Sequence, residues 1–320
     1  MSLVVAVQMD PMEGIDIAGD STFALMLGAQ QRGHELYHYS AGDLSYDRGR
    51  VWAMACPATV RREAGNHFTL GEPRNLDLGR DTDVVLMRQD PPFDITYITA
   101  THLLERIQSE TLVVNDPAAV RNAPEKIWVL DFARFMPPTA ITRSLGLARK
   151  LLADHNEIIV KPLHGNGGKA IFKVGRDGAN LSALIEMFNT AYREPHMLQA
   201  FVPEVAAGDK RIVLVDGEVA GAINRRPSAG EIRSNLAAGG TAEAADLTDT
   251  EREICAALGP ELKRRGLLFV GIDVIGGKWL TEINVTSPTG ILAIDRFNGT
   301  DTPGLIWAAI ERRLADRARG

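Results

Sequence analysis

Short apolar strands alternate with helices along the first third of the chain, and this alternation most constrains the fold. Apolar runs at Leu3–Val7 and Asp83–Met87 are typical of buried parallel strands. A helix that Asp20 can cap and Gly33 can end lies between them, and a second helix is predicted over Asp94–Ser109. Repeated strand–helix alternation predicts a parallel, doubly wound α/β sheet.

From Pro124 the pattern changes to hairpins and isolated helices, which predicts an α+β segment with antiparallel pairing. Strands at 157–163 and 170–174 are joined by only six residues, and a loop that short makes a hairpin. A second hairpin turns at Asp216-Gly217, and a third at Gly276-Gly277. We therefore predict three domains, which cover residues 1–122, 123–202 and 203–320.

Composition excludes several classes of protein. The 35 basic and 41 acidic residues among 320 give a net charge of −6, so the sequence predicts no nucleic-acid partner. No apolar run approaches the roughly 18 residues that span a bilayer, and the N-terminus lacks the pattern of a signal peptide. Two cysteines, Cys56 and Cys255, cannot form a disulfide framework, and we expect a cytoplasmic protein.

The run His34–His38 matches the zinc-protease pattern H-E-x-x-H, but that chemistry requires a helix. Gly33 ends the preceding helix, and the run is better interpreted as the next strand. On a strand the two histidines lie about 13 Å apart, too far to share one ion.

The hairpin from Leu267 to Val285 carries the sharpest chemical signal. A turn at Gly276-Gly277 pairs residue 273 with 280 and 271 with 282, so Asp273 and Glu282 become diagonal neighbours about 7–8 Å apart. With Asn284 on the same face, these residues offer the oxygen ligands that Mg²⁺ prefers. The alternative is a solvated polar face on which Lys278 screens the two acids.

A glycine-rich loop, Gly165–Gly168, follows a strand that ends in Lys161-Pro162. Its backbone N–H groups can fold over phosphates, with the Lys161 ammonium beside them. The spacing matches neither a P-loop nor a dinucleotide fingerprint, and a tight hairpin whose glycines supply positive φ remains the alternative.

Several cations could hold anionic substrates near these two features. They are Arg88, Lys126, Lys210, Arg211, Arg225, Arg226 and Arg233. The last of them lies in the polar stretch Pro227–Gly240, whose length is typical of a lid. No nucleophile stands out, so catalysis is expected to rest on positioning and charge neutralisation.

The order of strand lysine, glycine-rich hairpin, cation group, long loop and acidic hairpin resembles the ATP-grasp ligases. Four segments resemble the bacterial glutathione synthetases more closely: Val7–Pro11, Met87–Asp94, Asn235–Gly240 and Glu282–Thr289. The resemblance covers nearly the whole chain. It implies that residues 123–202 form an ATP-grasp lid and residues 203–320 the ATP-grasp core.

The resemblance also implies an activity, the ATP-dependent joining of γ-L-glutamyl-L-cysteine to glycine through an acyl phosphate. Its nucleotide-binding residues would be Lys126, Lys161, Gly165, Asn166, Gly167, Gly168 and Lys210, and its substrate-binding residues Arg88, Asp90, Asn235 and Ser287. Arg211, Arg226 and Arg233 would be catalytic. Asp273, Glu282 and Asn284 would hold Mg²⁺, with Mn²⁺ as a possible substitute. Family members are typically homotetramers.

Two residues depart from the family pattern: His164 replaces an aspartate and Gln89 replaces a lysine. Two alternative functions stay open at this point. One is another ATP-grasp ligase, such as one that joins D-alanines or adds glutamate to a protein. The other is a binding module that holds ATP without chemistry.

Overall fold

The computed structural model describes residues 2–236 and 239–319, which form three β-sheets with nine α-helices around them. No helix among these residues is long and apolar enough to cross a membrane.

The first sheet combines four parallel strands with four antiparallel ones. Its main order is β3-β4-β2-β1-β7-β8, and β5 and β6 also pair with β4. The strands are β1 Val4–Gln8, β2 Glu35–Tyr39, β3 Leu44–Asp47, β4 Arg50–Val60, β5 Phe68–Leu70, β6 Arg74–Asp77, β7 Val84–Met87 and β8 Leu112–Val114. The parallel ladder of β2, β1, β7 and β8 confirms the predicted alternation. The antiparallel extension was not predicted.

Four helices accompany this sheet: α1 Ser21–Gln31, α2 Ile95–Glu105, α3 Pro117–Arg121 and, from the far end of the chain, α9 Thr302–Arg317. Asp20 caps α1 by accepting from Phe23 N. Gly28 on α1 lets α9 approach closely, since a Cβ there would lie 3.1 Å from Trp307 Cδ1. The Trp307 indole is fully buried and donates to Leu25 O over 2.8 Å. The last helix of the chain therefore packs on the first layer, which is the first sheet with its helices.

The second sheet is antiparallel, in the order β11-β10-β12-β9. Its strands are β9 Thr139–Thr142, β10 Ile158–Pro162, β11 Phe172–Val174 and β12 His196–Ala200, and α5 Leu145–His155 and α6 Leu181–Ala191 cover it. The short helix α4 Glu125–Trp128 and a 3-10 segment, Val129–Phe135, lead into it. The predicted hairpin of β10 and β11 is confirmed.

The third sheet is also antiparallel, in the order β15-β14-β13-β16-β17. Its strands are β13 Asp209–Val215, β14 Glu218–Arg226, β15 Thr241–Ala244, β16 Phe269–Ile275 and β17 Trp279–Asn284, with α7 Asp249–Arg265 and α8 Ile291–Asn298 beside them. Thr248 and Glu251 form a capping box at the start of α7.

The predicted register of the β16–β17 hairpin is wrong by two positions at the acidic residues. The first shift lies at the turn, where Ile275 pairs with Trp279 instead of Lys278. A bulge leaves Thr281 as an extra residue on β17, so Asp273 pairs directly with Glu282 and Gly271 with Asn284. The Thr281 hydroxyl donates to Asp273 O over 3.1 Å, which ties the bulge to the opposite strand. The two carboxylates are therefore direct cross-strand neighbours instead of diagonal ones.

One buried amide joins the first sheet to this hairpin. Asn115, just after β8, donates to Phe269 O at 2.7 Å and to Val285 O at 2.8 Å, and accepts from Phe269 N at 2.8 Å. These bonds satisfy backbone groups at the start of β16 and just beyond the end of β17. The acidic hairpin is thus anchored at its open end.

Candidate active site

Two adjoining cavities lie around the acidic hairpin. The first, of about 110 Å³, lies between the second and third sheets, and its lining includes Lys126, Lys161, Gly165–Gly168, Asp209, Arg233 and Asp273. The second, of about 210 Å³, is lined by residues that include Asp90, Glu125, Arg211, Arg225, Asn284 and Ser287. Both are lined by Asn166, Gly167, Asn235 and Glu282. These four residues mark the junction of the two cavities.

Glu282 on β17 contacts the buried Lys126 at this junction and lies near the buried Lys161. Lys126 Nζ lies 3.0 Å from Glu282 Oε1 and donates to Gly165 O over 2.7 Å. Burial raises the pKa of Glu282, but the charges of Lys126 and Lys161 outweigh it and hold the pKa below its usual value. Burial lowers the pKa of Lys161 to about 8. Lys161 is therefore a cation that a small change of environment can discharge.

Asp273 on β16 is neutralised by two arginines from neighbouring strands. Arg211 Nε donates to Asp273 Oδ1 over 2.6 Å, and Arg225 Nη2 lies 3.0 Å from Asp273 Oδ2. Arg225 Nε also donates to Asp209 Oδ1 over 2.6 Å. Burial raises the pKa of Asp273, but the two guanidinium groups outweigh it, so the carboxylate stays ionised far below its ordinary pKa.

Asn284 and Glu125 complete the oxygen-rich side of the second cavity. The Thr286 hydroxyl donates to Glu125 Oε1 over 2.9 Å and lies 3.3 Å from Asn284 Oδ1. Burial raises the pKa of the Glu125 carboxyl, and the neighbouring Lys126 ammonium opposes that shift. Asp273, Glu282 and Asn284 thus present two carboxylates and an amide oxygen on one face of the hairpin. That donor set fits a hard divalent cation.

The long loop after β14 lies against the glycine-rich loop. Gly168 has φ +74°, and a Cβ there would lie 2.8 Å from Asn235 Oδ1 and 3.3 Å from Arg233 Cδ. A side chain at this position would therefore both strain the backbone and separate the two loops. Arg233 Nε donates to Glu231 Oε2 over 3.0 Å while its side chain borders the first cavity. Ala237 and Ala238, within the predicted lid stretch, lie outside the described residues.

Three of the predicted site residues do not line either cavity. Lys210 Nζ donates to Glu251 Oε2 and to Asp246 O, both at 2.6 Å, so it supports the start of α7. Arg226 is exposed and pairs with Glu243 at 2.9 Å. Arg88 is buried, and its guanidinium donates to Pro288 O over 2.8 Å. Ser287, which lines the second cavity, donates to Arg88 O over 3.3 Å, so Arg88 lies behind the cavity wall.

The structure also brings in residues that sequence reasoning did not select. Arg225, named among the cations but passed over for Arg226, lines the second cavity, as does Glu125. Asp209, at the start of β13, lines the first cavity. Glu125 is half-buried beside the buried Lys126, and nothing in the sequence distinguished it from a surface carboxylate.

Cations from several elements surround the space where both cavities meet. Carboxylate and amide oxygens line the same space. Groups of this kind can hold a polyphosphate on one side and a carboxylate on the other. A lysine strand and glycine-rich hairpin from one sheet, closed against an acidic hairpin from another, define an ATP-grasp protein. The predicted α/β domain followed by an ATP-grasp fold is therefore confirmed.

Solved structures share this fold over nearly the whole chain. A D-cycloserine synthetase superposes with a TM-score of 0.69 at 18% identity, covering 97% of this chain and 99% of that one. An ATP-grasp ligase complexed with a minimal precursor, Mg and ADP superposes with a TM-score of 0.62 at 17% identity, covering 98% of each chain.

Sequence comparisons identify the family. Residues 3–121 match the model of the prokaryotic glutathione synthetase N-terminal domain, and residues 125–299 match that of the prokaryotic glutathione synthetase ATP-grasp domain. The glutathione synthetase of Rhodopseudomonas palustris is 56% identical over 98% of this chain and 100% of its own, and that of Bradyrhizobium diazoefficiens is 55% identical over the same shares. The chain belongs to the prokaryotic glutathione synthetase family.

Proposed function

We infer that this chain is an ATP-dependent ligase that makes glutathione. It joins γ-L-glutamyl-L-cysteine to glycine and releases ADP and phosphate. The observation that carries this inference is the junction of the two cavities at Glu282, because a ligase of this kind must bring a nucleotide phosphate to a substrate carboxylate. Family membership supports the identity of the substrates.

The reaction has two chemical steps. A cysteinyl carboxylate oxygen attacks the γ-phosphorus of ATP, the bond to the β-phosphate oxygen breaks, and ADP leaves. The glycine amine then attacks the carbonyl carbon of the acyl phosphate, loses a proton, and expels phosphate together with the oxygen that came from the carboxylate. Neither step needs a protein nucleophile, so positioning and charge neutralisation supply the rate enhancement.

The first cavity is proposed as the nucleotide site. Lys126 and Lys161 line this cavity together with Gly165–Gly168, and two cations beside a glycine-rich backbone suit phosphate binding. Lys126 also holds Gly165 O, so this residue positions the glycine-rich loop as well as the phosphates. Lys210 keeps a supporting role in this proposal, because its ammonium already bridges Glu251 and Asp246.

Asp273, Glu282 and Asn284 are proposed as the metal ligands. Bound there, Mg²⁺ neutralises phosphate charge at the reacting centre, and Mn²⁺ suits the same oxygen donors. Lys126 pairs with Glu282 and Arg211 pairs with Asp273, and these cations keep both carboxylates ionised. The site can therefore bind a metal cation without first losing protons.

The second cavity is proposed as the dipeptide and glycine site. Arg211 and Arg225 line it and can face the carboxylates and the transferring phosphoryl group, with Asp90, Asn235 and Ser287 as polar contacts. Arg233 approaches from the loop that lies on Gly168 and borders the nucleotide side. Arg225 replaces Arg226 in this proposal because Arg226 is exposed and paired with Glu243.

Three further expectations remain part of the proposal: the domain limits 1–122, 123–202 and 203–320, a cytoplasmic location, and a homotetramer. The first limit is supported by the position of the eight strands of the first sheet, all of which precede residue 115.

Substrate dependence tests the proposed function directly. Phosphate release is measured with ATP and Mg²⁺, leaving out γ-glutamylcysteine or glycine in turn. Full release is expected only with both substrates, together with one glutathione per ADP. Equal turnover with D-alanine or glutamate as the acceptor would indicate a different ligase, and ATP binding without turnover would indicate a binding module.

A further inference from the structure

His164, the residue before the glycine-rich loop, has an aromatic ring that contacts Phe93 in the first layer of the protein. The His164 ring stacks on Phe93, with ring centroids 6.1 Å apart and planes inclined by 28°. Phe93 packs in turn on the buried ring of Tyr97 on α2, at 5.2 Å. A chain of three rings therefore runs from the first layer to the start of the glycine-rich loop.

Both ends of the His164–Phe93 contact border the proposed substrate sites. Asp90, three residues before Phe93, lines the second cavity. Gly165, directly after His164, lines the first cavity and accepts from Lys126. A narrow crevice between the two cavities is lined by both rings, together with Pro91, Pro124, Glu125, Leu163, Gly165 and Asn166.

We propose that His164 is a positioning residue that, by stacking on Phe93, couples binding of the dipeptide to closure of the glycine-rich loop over ATP. The proposal rests on the substrates assigned above. A dipeptide in the second cavity orders the loop that carries Asp90 and Phe93. Because the His164 ring stacks on Phe93, the neighbouring Gly165 becomes ordered as well. ATP then binds to a glycine-rich loop that has already lost part of its conformational freedom.

The chemistry of the ring supports this role. Burial lowers the pKa of His164, the Lys126 charge lowers it further, and Glu194 opposes both. The imidazole is therefore neutral near pH 7 and can lie face to face with Phe93 without a buried charge. The aspartate that the family resemblance leads one to expect at this position has no ring, so this coupling is a property of the present chain.

Equilibrium binding tests the proposal separately from catalysis. The affinity for AMPPNP with Mg²⁺ is measured by calorimetry with and without γ-glutamylcysteine, in the wild type and in His164→Ala, His164→Tyr and Phe93→Leu. His155→Ala, an exposed position at the end of α5, serves as the control. Thermodynamic coupling between sites typically amounts to about 5–150-fold in affinity.

In the wild type and the control, the dipeptide is expected to tighten AMPPNP binding about tenfold. His164→Ala and Phe93→Leu should reduce this gain to within about twofold of none, whereas His164→Tyr should retain it because the ring plane remains. Phe93→Leu tests the same contact from the other side should His164→Ala fail to fold.

An undiminished gain in folded His164→Ala or Phe93→Leu would overturn the proposal, and so would the absence of any gain in a wild type that makes glutathione. A wild type that neither binds the dipeptide nor makes glutathione would instead refute the proposed function.

Discussion

Asp273 and Glu282 are a directly opposed cross-strand pair, yet each carboxylate has a cation of its own. Opposed residues in an antiparallel pair have Cβ atoms about 4.5–5.5 Å apart, a distance at which two buried carboxylates repel. Arg211 and Arg225 from β13 and β14 compensate Asp273, and Lys126 from α4 compensates Glu282. The acidic hairpin can remain ionised because its partners come from different elements.

Glu282→Gln tests this pair as the centre of the metal site. The variant keeps the shape of the side chain but removes one negative ligand, so kcat should fall on the order of 100-fold or more with the fold intact. Steady-state kinetics over a Mg²⁺ titration and a thermal melt provide the measurement, and Glu243→Gln at the surface is the matched control. Near-normal turnover at ordinary Mg²⁺ would remove Glu282 from the site.

Lys161→Ala should weaken ATP binding and leave γ-glutamylcysteine binding much less affected, because a buried cation that faces phosphate is lost. A fall in dipeptide affinity with unchanged ATP affinity would place Lys161 in the other cavity.

The same lysine predicts a pH dependence. Its pKa of about 8 means that it is charged below pH 8 and neutral above. The KM for ATP in the wild type should therefore rise as the pH increases through 8. Lys161→Arg keeps its charge over that range and should show a flatter profile. Identical profiles for the two proteins would show that Lys161 does not titrate against ATP.

Arg225 and Arg226 form an internal comparison, since they are adjacent and only Arg225 is buried against Asp209 and Asp273. Arg225→Lys keeps a charge but loses the forked geometry, and kcat should fall about tenfold or more. Arg226→Lys should stay within about twofold, as is usual for an exposed ion pair. Equal losses in the two variants would contradict the assignment of Arg225 over Arg226.

Replacing residues 228–239 by a short Gly/Ser linker tests the loop that lies on Gly168. The fold and ATP binding should be spared, but ligation should collapse while dipeptide-dependent ATP hydrolysis persists, because the acyl phosphate then meets water. Glutathione and ADP are measured together. A second linker that retains Arg233 and Asn235 should recover part of the ligation. Full glutathione formation by the first linker, with ATP use still matched to product, would show that the loop is not a lid.

Two β-bulges explain why the strand pairing at the site could not be predicted from the sequence. If the two strands paired without interruption from the Asp216-Gly217 turn, Arg211 would pair with Ala222. Arg226 would then lie on the same face of the sheet as Arg211. A bulge between Val213 and Leu214 shifts the register by one, so Arg211 pairs with Ile223 and Arg225 takes that face. In the β16–β17 hairpin the turn and a bulge each shift the pairing by one residue, so Glu282 pairs with Asp273 instead of Gly271. Turn residues predict a hairpin, but an extra residue along a strand leaves little local signal.

The first sheet shows which part of the fold could be predicted. The apolar runs of β1 and β7 reveal parallel strands because both faces are buried. The antiparallel β4 is instead half buried: Val51, Ala53 and Ala55 face inward and alternate with Trp52 and Met54. This period of two was present in the sequence, but short alanines gave it little hydrophobic contrast.

Transfer of oxygen is the most direct test of the central claim, that ATP phosphorylates the cysteinyl carboxylate before glycine attacks. γ-Glutamylcysteine labelled with ¹⁸O at both oxygens of its cysteinyl carboxylate is converted with ATP, Mg²⁺ and glycine, and the released phosphate is analysed by mass spectrometry. Each phosphate should carry one labelled oxygen, and the new amide should keep the other. Glutathione formed with unlabelled phosphate would contradict the acyl-phosphate mechanism.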